Sequence, residues 1–183
     1  MGRAAGGLKL PTSAADLEVV ERVEGGSGTD FGVPSTPPQL DDRPVSGTEL
    51  RRLTDLLEAS WSAVQEAADA AVGVELRKGP RGGGRGLQKI LAHVMEGDEA
   101  YLREFGGRSE KRDADDIAGR WASVRKALVD AVRTRVGGEP PPPMGRRTRP
   151  FWSVRYLIRR SAWHALDHAW EIEDRAAPDP GDA

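Results

Sequence analysis

The chain has 183 residues, a formal net charge of −2 and no cysteine. That length suits one domain with extra material at its ends. The missing cysteines exclude a disulfide scaffold, a thiolate zinc site and a cysteine nucleophile, and the near-neutral charge argues against a dedicated nucleic-acid binder. Charged residues make up 31% of the chain and apolar ones 38%, which supports a globular core of moderate size. No run of about 18 apolar residues exists to span a membrane. The opening MGRAAGGLKLPTSA lacks the sustained apolar core of a secretory signal, so a cytoplasmic location is expected.

Residues 1–46 are rich in Gly, Pro, Ser and Thr and carry no helical period. Within them Leu17 to Val23 (LEVVERV) has the β-branched content of a short strand, which would lie along the helices or pair with another molecule. The following GGSGTDFGVPSTPPQLDDRP reads as loop, with Phe31 and Val33 able to tack it to the helices.

Thr48 is a plausible N-cap for a first helix ending near Val72–Gly73. Leu50, Leu53, Leu56, Leu57, Trp61, Val64 and Ala68 recur along it at three-and-four spacing. A glycine-rich basic loop, ELRKGPRGGGRG, leads to a second helix from about Leu87 to Phe105, stopped by Gly106–Gly107. Ile90, His93, Val94, Tyr101 and Phe105 can share its inner side. A third helix covers about Ala114 to Val136, with Ile117, Trp121, Val124, Leu128, Ala131 and Val132 on one stripe. The tetraproline Pro140 to Pro143 makes a stiff extended connector. A fourth helix is expected from about Pro150 to Arg175, its apolar side formed by Val154, Leu157, Ile158, Trp163 and Leu166. The expectation is an all-α four-helix bundle over residues 47–176, an irregular arm before it and a frayed tail at 177–183.

The three histidines are distributed in a telling way. His164 and His168 lie four apart in RSAWHALDHAWE, and an i, i+4 pair sits on one helix face. His93 lies on the inner side of another helix. Facing helices of a bundle build metal sites in this manner, and three imidazoles leave room for water or substrate. Zinc, nickel and iron all suit such ligands. The bland alternative places His164 and His168 on the helix surface and His93 as a satisfied core histidine.

Asp167, Glu171 and Glu96 fall within one turn of a histidine and can orient an imidazole or accept a proton; each alone is as well read as solvated charge. Arg160, one turn before His164, can hold an anionic substrate or cofactor near a metal, or simply pair with a carboxylate. Arg85, with Arg77, Lys78, Arg81 and Lys89, surrounds the three glycines before a helix start, where an anion can bind; a solvated loop is the alternative. The closing Lys-Ser/Thr of a P-loop is missing. Arg146, Arg147 and Arg149 form a second basic patch. Trp163 and Trp170, seven apart, are expected in the core.

In HVMEGDEAYL around His93 and in WHALDHAWEIEDR, the chain resembles the DinB superfamily of bacterial four-helix bundles, over roughly residues 46 to 176. The glycine-rich basic loop looks like one in an uncharacterised actinobacterial branch. The resemblance implies one divalent metal on His93, His164 and His168. It also implies metal-dependent transferase or isomerase chemistry with a low-molecular-weight thiol such as mycothiol, so that the nucleophile comes from the cofactor. Three functions stand after this reading: a metal-dependent thiol transferase or small hydrolase, a non-catalytic metal-binding or interaction bundle that can act as a homodimer, and, last, a nucleic-acid-associated protein.

Overall fold

The computed structural model describes residues 11–29, 36–78, 84–110 and 116–178. Among these the protein is all-helical, with α1 (Gly47–Ala70), α2 (Leu87–Phe105), α3 (Ile117–Val136) and α4 (Val154–Ala176). In the arm, Ala14–Asp16 and Gln39–Asp42 form short 3-10 turns. The helices close a ring in which α1 packs on α4, α4 on α2, α2 on α3, and α3 returns to α1. No described helix is long and apolar enough to cross a membrane.

Periodicity explains this ring. In α1, Leu50, Thr54, Leu57, Trp61, Val64 and Ala68 are buried at alternating steps of four and three, which is one stripe of a 3.6-residue helix. Helix α4 touches both α1 and α2, and it buries a broader surface, from Leu157 and Ile158 through Ser161, Ala165 and Ala169 to Ile172. Small residues at 161, 165 and 169 let the neighbouring helices approach closely. Gly106 ends α2 in the left-handed region (φ 93°), with Gly106 and Gly107 amides returning to the carbonyls of Arg103 and Leu102.

One polar hub ties all four helices. Asp98 of α2 is fully buried and accepts hydrogen bonds from Trp61 of α1 (2.9 Å), Trp121 of α3 (3.1 Å) and Ser161 of α4. Burial pushes its carboxyl up to about 6, against the three donors that favour the anion. Arg125 lies 3.5 Å from the Trp121 ring centroid and closes the hub on the outside.

Several sequence expectations are corrected. Leu17 to Val23 forms no strand, because no second strand is present among the described residues to complete a ladder, and Leu17, Val19, Val20 and Val23 are exposed. The N-cap of α1 is Ser46, whose hydroxyl accepts the Glu49 amide, and Thr48 lies inside the first turn. The helix ends at Ala70, before Val72. Asp116 caps α3, so it starts at Ile117; Ala114 lies outside the described residues. Ser153 caps α4, which leaves Pro150 in the connector. Trp170 is 61% exposed and Trp163 half-buried, so the two tryptophans are not core. The core side of α4 is instead the small-residue and histidine side, one position around the helix. Phe31, Val33, Arg81 and 179–183 lie outside the described residues.

The arm is nevertheless attached. Glu21 accepts the amides of Gln39 (2.7 Å) and Leu40 (3.1 Å). Arg155 of α4 grips Glu49 bidentately while donating to the Arg43 and Pro44 carbonyls, and Arg159 pairs with Asp41. The Arg155 and Arg159 contacts fix the N-terminal half of α4 against the segment preceding α1 and against the first turn of α1.

Candidate metal centre

Helices α2 and α4 bring the three histidines into one cluster. The imidazole centroids stand 5.1 Å (His93–His164), 5.0 Å (His93–His168) and 4.7 Å (His164–His168) apart. The rings meet edge-to-face at 75° to 88° rather than stacking. Nε2 of His93 and Nε2 of His164 are 3.4 Å apart, and one nitrogen from each ring falls within 4.8 Å of the others. In a tetrahedral zinc site with bonds of 2.0–2.1 Å, neighbouring ligand nitrogens stand about 3.3 Å apart. The cluster can therefore hold a metal ion.

The burial runs opposite to the bland alternative. His164 is 6% exposed and His168 7%, whereas His93, expected deepest, is half-buried and is the open side. Burial drives the His164 imidazole down to about 3, with His168, His93, Arg160 and Arg85 adding repulsion. His93 is lowered for the same first reason, then by Arg85. Both are neutral near pH 7, the state in which an imidazole ligates a metal.

The surroundings hold the rings in place. His168 Nδ1 meets Glu171 Oε2 at 2.7 Å, which leaves its Nε2 free to face the centre. Burial alone would raise Glu171, but the bonds from His168 and Arg175 keep it below the usual carboxylate range. Arg175 in turn donates to Glu171 (2.6 Å) and to the Arg77 carbonyl (2.7 Å), and the Arg77 amide donates back to the Arg175 carbonyl (2.8 Å). The start of the basic loop is thus fastened to the end of α4 and, through Glu171, to His168.

His164 is positioned by absence. A Cβ added at Gly97, one turn beyond His93, would lie 2.5 Å from its Cε1 and 2.8 Å from its Nδ1. Only glycine leaves the ring that space. The His164 Nδ1 is buried without a hydrogen-bond partner among the described residues, so nothing competes with its Nε2 for the inward direction. Tyr101 covers another side, its ring 5.6 Å from that of His164, and Trp152 packs on Tyr101 at 5.4 Å.

The remaining sequence candidates divide. Glu171 joins the cluster, while Asp167 and Glu96 are exposed. Arg160 stands beside Tyr101, and Arg85 is exposed near His93. Arg147 of the second basic patch is spent on Glu104 at 2.7 Å. Gly97, Asp98 and Arg175 were not marked as site or core residues by the sequence. A lone glycine within an apolar helix, four after a histidine, was the one available signal of a close approach. Two clefts lie away from the centre: about 800 Å³ between the end of α2 and the polyproline connector, and about 430 Å³ between α1 and α3. No protein-family model, curated protein or solved structure matches this chain.

Proposed function

We propose that the chain is a DinB-type bundle whose three-histidine centre holds one zinc, nickel or iron ion and binds a low-molecular-weight thiol of the mycothiol kind for transfer to a small electrophile, in the cytoplasm. The observation that carries this reading is the convergence of His93, His164 and His168 on one point with no fourth protein ligand among the described residues. A divalent ion in such a place supplies a position for a thiol and holds it as the thiolate at neutral pH. The chain's own residues do the rest: Glu171 fixes the His168 ring, Gly97 seats His164, and half-buried His93 leaves the approach open. A protein without cysteine has no thiolate of its own, which fits a nucleophile brought by a cofactor.

The test uses cobalt-reconstituted protein titrated with mycothiol and followed by visible absorption, alongside thiol consumption with a small electrophile. A saturable thiolate-to-cobalt band and turnover, both lost in His164→Ala, support the reading. The burial of His164 and His168, which leaves little of either ring open to a substrate, favours a second reading, a metal-holding bundle without turnover. Metal retained with neither band nor turnover selects that reading.

A further inference from the structure

We propose that Arg160 is the anchor for a carboxylate of the small-molecule substrate, so that the molecule acted on at the histidine centre is a carboxylic acid. This inference rests on the metal reading above and names the substrate class of the same site.

The arginines of α4 make the case by contrast. Arg155 is paired with Glu49, Arg159 with Asp41 and Arg175 with Glu171. Arg160 has no hydrogen-bond or ion-pair partner among the described residues, and its Nη1 is buried. A buried N–H left without an acceptor is destabilising; Nη1 is closed to solvent here, so a carboxylate meets the guanidinium from the side that leaves Arg160 partly exposed. An arginine retained purely for solubility would keep its guanidinium in water. This one is held between two aromatic rings, its Cζ 4.7 Å from the Trp163 centroid and 5.1 Å from that of Tyr101. The two rings confine the guanidinium, and the N–H groups it keeps open match a carboxylate, the planar anion that an arginine fork binds best.

Position links this anchor to the centre. Arg160 precedes His164 by one helical turn, so both project from one face of α4, about 5–6 Å apart at their Cβ atoms. Tyr101 touches both, at 5.6 Å from the His164 ring. Arg85, exposed by His93, adds positive potential from α2's side, while Glu171, the carboxylate beside His168, is already neutralised by Arg175. Glu96, exposed one turn from His93, is the opposing carboxylate, and Arg85 and Arg160 together outnumber it. A substrate bearing its carboxylate a few bonds from its reacting atom spans the two points.

Metal content is measured first, then succinate, its uncharged isostere succinamide and inorganic phosphate are titrated calorimetrically into the metal-loaded protein. Succinate is expected to bind at least tenfold more tightly than succinamide. Arg160→Gln is expected to weaken succinate by about 10–100-fold, the loss of charge-assisted hydrogen bonds, with metal content and circular dichroism unchanged. Arg160→Lys keeps the charge but not the fork and is expected to lie between. Arg85→Gln, at an exposed and screened position, should change binding by no more than about threefold. The proposal is overturned by full metal with no succinate binding, by equal binding in Arg160→Gln, or by phosphate binding more tightly than succinate through Arg160. Wild-type protein that takes up no metal overturns the metal reading itself, and the carboxylate proposal with it, and the metal analysis separates that outcome from the others.

Discussion

Replacing Gly97 by alanine gives the sharpest test of how the centre is assembled. In an open helix this change stabilises by roughly 0.5–1 kcal/mol, because glycine loses more backbone freedom than alanine. Here the new methyl would stand 2.5 Å from His164 Cε1. Carbon atoms in contact prefer about 3.5–4.0 Å, so the ring must retreat by about 1 Å. It has no free side, with His93, His168 and Tyr101 around it at 5.1, 4.7 and 5.6 Å between centroids. Metal–ligand distances tolerate only about ±0.2 Å, so the displaced Nε2 ceases to be a ligand. The expected loss of metal affinity is at least ~100-fold, more than the removal of an outer hydrogen bond to a ligand causes. Without metal, overpacking of roughly 1–3 kcal/mol outweighs or cancels the helix gain. Competition against a chelating dye reads the affinity, and urea unfolding in the presence of a chelator reads the stability. A Gly97→Ala protein that binds metal like wild type and is about 1 kcal/mol more stable refutes the close approach.

Other consequences follow from the surroundings. Glu171→Gln weakens the hold on His168 and should lower metal affinity about 10–100-fold while the helix content stays intact, read by the same dye competition. Asp98 titrates near 6 in the fold against 3.8 ordinarily, so the folded state holds its proton more tightly. The stability it contributes is full below pH 4, falls as pH rises to 6, and is lower by ~3 kcal/mol above that window. Both indoles donate to the same Asp98 Oδ2, so Asp98→Asn keeps one oxygen for the pair and should flatten that part of the stability–pH curve in urea titrations. Asp98→Ala strands both buried indole N–H groups and should cost roughly 2–5 kcal/mol at pH 7 in the same assay. Arg155→Met cuts the arm's attachments at Arg43 and Pro44, together with the ion pair to Glu49 of α1. Limited proteolysis before Ser46 should then accelerate, with cleavage inside α1 to α4 unchanged.

The parts legible in the sequence were those governed by local rules. Leu87–Phe105 was read to the residue because a double glycine stops the helix and its apolar period is regular. The His164/His168 pair was legible because helical spacing alone puts both on one face, and inner-side periodicity brought in His93. Where tertiary packing decides, the sequence was silent or misleading. Asp98 looks like a solvated charge until Trp61, Trp121 and Ser161, distant by 37, 23 and 63 residues, converge on it. Leu17 to Val23 has strand propensity, but propensity without a partner makes no sheet. Trp163 and Trp170 share a face that turns outward, because the side toward α1 and α2 is occupied by small residues that let the helices close.

The most direct measurement is elemental analysis of the purified, untagged protein beside the His93→Ala and His164→Ala variants, each with circular dichroism to verify folding. About one transition-metal ion per chain is expected in the wild type, lost from both folded variants. A wild type that takes up no metal after reconstitution, or folded variants that retain it fully, would contradict the account.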